Sequence, residues 1–204
     1  MSRVQALAAS LVRAHRNREF VALPTDLTTE EAYRVQDLVF AELARGQRPN
    51  AWKVGGPGPD VEPTMAQILP GRLFASPPPV ETNGFQMIGV EIEVAFRMGE
   101  DAKPVEAFVA IEVCDTRLAD WKNASPAAKV ADFQSNAALV AGSGTSCLEQ
   151  TDWGHQRAEL WIVAMPEIPL LDAVPFRFGI PEAVQLCTLP VRVSPSSFAA
   201  EVLK

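Results

Sequence analysis

The chain has 204 residues, enough to bury one sizeable core. Its apolar fraction of 48% and charged fraction of 21% are those of an ordinary globular protein. A net charge of −7 and the absence of any basic run exclude a nucleic-acid surface, which needs clustered Lys and Arg.

Residues 2 to about 16 place Val4, Leu7, Leu11 and Val12 at helical spacing, which predicts an amphipathic helix. The stretch is too short, and too interrupted by Gln5 and Ser10, to read as a secretory leader. A second helix is predicted from Thr28 to about Arg45. Thr28 and Glu31 have the spacing of a capping box, and Gly46 supplies the stop. Its apolar stripe is Ala32, Val35, Leu38, Val39 and Leu43.

The texture then changes to short strands broken by Pro and Gly. Ala51 to Val54 is strand-like and stops at Gly55-Gly56-Pro57-Gly58. Ile88 to Met98 alternates, with Ile88, Val90, Ile92, Val94 and Phe96 on one face and Glu91, Glu93 and Ala95 on the other. Val105 to Val113 is a further strand. A short helix is predicted between Pro126 and Asn136, then strands at Ala137 to Ala141 and Arg157 to Val163. Ser143 to Ser146 reads as turn material. Six prolines after Val163 leave no room for a long element. Helices first and strands after predict an α+β fold in a single domain. No apolar run approaches the ~20 residues of a membrane span. Cys114, Cys147 and Cys187 form no CxxC, so three buried free thiols in a reducing, cytoplasmic compartment are expected.

Chemistry can reside in a few places. Glu91 and Glu93, two apart on a strand, face the same way. They suit a divalent cation, although the polar face of a half-buried strand would read alike. Glu112 follows the apolar run Phe108 to Ile111 and is a candidate third carboxylate. Asp115 and Arg117 suit a turn pair. Lys53, inside a strand, must reach water or face a site, and Gly55 and Gly56 let a ligand approach the backbone. Asp132 to Asn136 is a polar segment before a buried strand. No Gly-x-Ser-x-Gly elbow occurs, which disfavours a serine hydrolase.

In order along residues 5 to 162, several segments resemble one family. Ala32-Tyr33-Arg34-Val35-Gln36, Trp52-Lys53-Val54-Gly55, Glu91-Ile92-Glu93, Ala110-Ile111-Glu112-Val113-Cys114-Asp115-Thr116-Arg117 and Val130-Ala131-Asp132-Phe133-Gln134-Ser135-Asn136 resemble motifs of the 2-keto-4-pentenoate hydratases. The resemblance implies a fumarylacetoacetase C-terminal-like fold, with N-terminal helices followed by a mixed β-roll. It implies a Mg²⁺ or Mn²⁺ site made by Glu91, Glu93 and Glu112, with Lys53 as the catalytic residue and Gly55, Asp132 and Gln134 at the substrate.

The implied reaction is addition of water to a 2-hydroxy-dienoate or 2-oxo-enoate acid in aromatic-compound catabolism. Alternatives are decarboxylation or C–C hydrolysis of a related 2-oxo acid, or a non-catalytic assembly role. A homo-oligomer is expected, with a decarboxylase homologue as a conceivable partner. Residues 163–204 depart from the family pattern, as an altered reading frame or a degenerate tail would produce.

Overall fold

The structure is a computed structural model, which describes residues 1–56, 60–75 and 85–151. These fall into two compact units. The first comprises Met1–Leu73, Gly84–Met87 and Cys114–Ala138; the described part of the second is 74–75, 88–113 and 139–151.

In the first unit, helix α1 (Arg3–Asn17) starts at Ser2, whose side chain caps the backbone of Gln5 while Gln5 returns the bond. Helix α2 (Thr29–Ala44) starts with the same reciprocal arrangement between Thr28 and Glu31. Arg45 and then Gly46 take left-handed backbone and end it. A short helix, α3 (Pro126–Ala131), begins with Pro126 in its first turn and Ser125 as cap. The three pack around Val4, Leu11, Val35, Val39, Val130 and Phe133. Leu38, placed by sequence on the apolar stripe, is instead 42% exposed. Gln36 takes an interior place, donating to the Val130 carbonyl at 2.6 Å. Its amide can satisfy backbone groups that a leucine could not.

Two strands, Thr64–Gln67 and Leu73–Ala75, are absent from the sequence reading. β1 (Trp52–Gly55) pairs antiparallel with β2 (Thr64–Gln67), Lys53 opposite Ala66 and Gly55 opposite Thr64. β2 is only four residues long, too short to show a period. The second is β3 (Leu73–Ala75), an edge of the four-stranded sheet of the second unit.

That sheet has the order β3-β6-β5-β4, with β4 Gly89–Met98, β5 Pro104–Cys114 and β6 Asn136–Thr145. β4 and β5 form a hairpin whose turn is closed by Gly99 N–H donating to the Lys103 carbonyl at 2.8 Å. β6 runs further than its sequence suggests and takes in Ser143, Gly144 and Thr145. Gly144 is needed there because a Cβ would stand 2.8 Å from the Ala107 carbonyl oxygen. Of the expected buried thiols, Cys114 is buried and Cys147 is exposed; Cys187 and the strand expected at 157–163 lie outside the described residues. No helix among the described residues is long and apolar enough to cross a membrane.

Candidate functional site

The sequence candidates fall into two sets, one in each unit. In the sheet, Glu91 and Glu93 lie two apart on β4, and Glu112 and Cys114 two apart at the end of β5, so each pair shares a face. Glu91, Glu112 and Cys114 each bring a ligand atom into a group within 4.8 Å of one another. Glu112 is 1% exposed, whereas Glu91 is half-buried. Glu93, the expected third carboxylate, is half-buried on the same strand but stands outside that group, which the Cys114 thiol completes.

Two carboxylates held this close, one of them away from water, repel unless a cation or a proton joins them. Their oxygens suit a hard divalent ion such as Mg²⁺ or Mn²⁺. The Sγ does not, and belongs with softer ions. The residues present therefore fit a divalent cation through Glu91 and Glu112.

In the first unit, Lys53 is half-buried in β1, and Gly55 ends that strand. Gln134 comes to the same place from the turn after α3. A Cβ on Gly55 would be 3.8 Å from Gln134 Oε1. The Gln134 amide nitrogen donates to Thr64 Oγ1 at 2.5 Å, and Thr64 in turn donates to the Gly55 carbonyl. Gln134 Oε1 is buried without a hydrogen-bond partner. Phe133, Gln134 and Ser135 all have left-handed backbone, with φ of 53°, 52° and 61°. Such strain costs of order 1–3 kcal/mol per residue and persists only where the surroundings impose it.

Asp132 takes a different place from Gln134. It is wholly buried, with Oδ2 accepting from Thr116 Oγ1 at 2.7 Å and from the Arg117 backbone at 2.9 Å. Its Oδ1 accepts from Arg117 Nε at 2.6 Å, and its carbonyl from Arg117 Nη2 at 3.1 Å. Both carboxylate oxygens are engaged inside the protein, and they fix Arg117. Arg117 also lies 3.6 Å from Asp115, the expected turn pair, and Asp115 accepts the backbone N–H groups of Gln86 and Met87 at 3.1 and 2.8 Å. Burial raises the Asp115 carboxyl above its ordinary range, against the pull of Arg117 and of those two donors.

Sequence reasoning passed over His15. It sits on the buried face of α1, in step with Val4, Ala8 and Leu11, and that spacing was the available signal. Its ring meets Phe133 edge-on at 5.8 Å. Burial, then Arg117 and Arg72, push its pKa down to about 2, so the imidazole is neutral. Its 4.0 Å approach to Asp132 is therefore no ion pair.

No family model and no curated protein matches the chain. Solved structures do. One is 4-oxalocrotonate decarboxylase from Pseudomonas putida G7 complexed with magnesium and adipate, with a TM-score of 0.62 and 22% identity over 78% of this chain and 69% of that one. The same enzyme complexed with calcium and acetate gives 0.61 and 23%, over 74% and 67%. The likeness shows the fold: α+β, N-terminal helices followed by sheets, of the fumarylacetoacetase-like type.

Proposed function

We propose that the chain is a divalent-metal-dependent lyase acting on a small 2-oxo carboxylic acid, with hydration of a 2-oxo-enoate as its reaction. The observation that carries this reading is the Glu91–Glu112 pair, two carboxylates within 4.8 Å on neighbouring strands with one of them buried. It lies in a fold shared with an enzyme solved with magnesium. Glu91 and Glu112, with Glu93 beside them on β4, would hold Mg²⁺ or Mn²⁺. Such an ion, when bound, supplies Lewis-acid polarisation of the 2-oxo group.

The protein's own groups do the rest. Lys53 binds the substrate carboxylate or moves a proton at its Nζ. Gly55 leaves room for a ligand against the β1 backbone, and the unsatisfied Oε1 of Gln134 offers an acceptor beside it. Asp132 holds Arg117 in register. A homo-oligomer in a reducing compartment belongs to the same reading.

A second reading, decarboxylation, is favoured by one observation: two of the matching structures are of a decarboxylase. Both readings require the metal.

The test is the melting temperature with and without Mg²⁺ or Mn²⁺, for the wild type and for Glu112→Gln. Binding to the folded state at about a hundred times Kd stabilises by ~2.7 kcal/mol. We expect a saturable rise that the variant loses. A cooperative wild-type melt indifferent to both ions overturns the reading. Given the rise, loss of 2-oxo-enoate absorbance without CO₂ release identifies hydration, and loss with CO₂ release identifies decarboxylation.

A further inference from the structure

In the first unit, a cavity of about 40 Å³ is lined by His15, Arg18, Arg72, Gln86, Asp115 and Arg117, among others. One water needs about 10–15 Å³ of such space, so two or three heavy atoms fit. The polar atoms around it are not fully used. His15 Nε2 and Gln86 Oε1 are buried with no hydrogen-bond partner. The Arg72 guanidinium lies over the Phe85 ring, 5.3 Å from its centroid, and makes no hydrogen bond or ion pair with a described residue. Arg18, exposed on the same cavity, gives one N–H to the Phe85 carbonyl at 2.8 Å.

Three guanidinium groups thus meet Asp115 and, behind Arg117, Asp132. That leaves one positive charge in excess. The positive balance is local, in a chain whose net charge is −7.

We propose that this cavity is a binding site for a small monoanion, from chloride to formate in size. Arg72 and Arg18 supply charge-assisted donors to it, and His15 donates its Nε2–H as a neutral imidazole. Water alone would fill the space but leave the excess charge uncompensated. The desolvation that lowers the Arg72 pKa is relieved when an anion arrives. Size excludes a phosphate ester or a dicarboxylic acid, so this site is separate in kind from the proposed substrate. It stands or falls without that reading.

The experiment is a melting curve at constant ionic strength, exchanging sodium gluconate for sodium chloride or sodium formate. Gluconate is too large for the cavity. We expect the wild-type melting temperature to rise saturably by about 5–10 °C at a hundred times Kd. Arg72→Gln should melt cooperatively and lose the rise. Chloride without formate would mark a halide site, formate without chloride a carboxylate site, and either supports the proposal. Equal melting temperatures in all three salts overturn it, and so does a rise that Arg72→Gln keeps. If Arg72→Gln does not fold, ³⁵Cl line broadening on the wild type decides. Saturable broadening, displaced by formate or not according to whether the site takes both anions, supports the site; no saturable broadening together with no formate-dependent rise in melting temperature overturns it.

Discussion

Buried charge is handled differently in the two units. The first places opposite charges in its interior and joins them: Arg117, 3% exposed in its side chain, binds Asp132, which is 0% exposed. The second, among its described residues, puts an opposite-charge pair at the surface, where Arg97 meets Glu106. Its buried carboxylate, Glu112, stands near a second carboxylate, Glu91. A joined buried pair fixes a fold and has little capacity left for a ligand. A like-charged pair is an arrangement that folding alone does not favour, and a cation is its natural complement.

The comparison breaks first at Asp132. If its role is to neutralise and position Arg117, Asp132→Ala leaves a buried guanidinium without its main partner and strands the Thr116 hydroxyl. Urea denaturation should show a loss of about 3–5 kcal/mol. Removing both partners together, in Arg117→Met/Asp132→Leu, should cost clearly less than the single change, because no buried charge is then left over. A loss under about 1 kcal/mol for Asp132→Ala would mean the carboxylate is free for other work.

His15 sharpens the same contrast at smaller cost. Its pKa falls from 6.5 to about 2 on folding, chiefly through burial, then through Arg117 and Arg72. Between those values the unfolded chain binds a proton that the folded chain refuses, so stability is whole above pH 6.5 and declines as pH falls below it. The slope is about 1.4 kcal/mol per pH unit, or about 2 kcal/mol lost by pH 5. Asp132, 4.0 Å away, and Asp115 face the same region. Asp115, whose pKa is raised by burial, acts in the opposite sense. Chemical denaturation of His15→Leu across pH 7 to 5 should show a flatter limb than the wild type. An unchanged limb would remove His15 from the account.

Much of this was legible before any coordinates. The Thr28–Glu31 capping box, the β4 alternation and the placing of Glu91 and Glu112 on strands follow from local periodicity and from cap chemistry, both written in neighbouring residues. Three features were not. Strands as short as β2 and β3 carry no period. Gly144 looks like a turn residue because the carbonyl that forbids a Cβ there belongs to Ala107, 37 positions earlier. The buried bonds of Asp132 could not be foreseen because its partners, Thr116 and Arg117, lie on a different segment. In each case the deciding neighbour is distant in sequence, and local pattern has no access to it.

The smallest effect belongs to the second unit's surface pair. Arg97 gives two N–H groups to one oxygen of Glu106, at 2.9 and 2.7 Å across the hairpin. The contact is as short as those around Asp132, yet its side chains are 65% and 33% exposed. Water competes for the same groups and salt screens them, so Arg97→Ala should cost only about 0.2–1 kcal/mol, less still at 1 M salt. The interior pair should lose little to the same salt, because ions cannot enter between its partners. If the two pairs lost equal stability on truncation, or faded together in salt, burial would not be what separates them. The contrast between the interior pair of the first unit and the surface pair of the second would then fail.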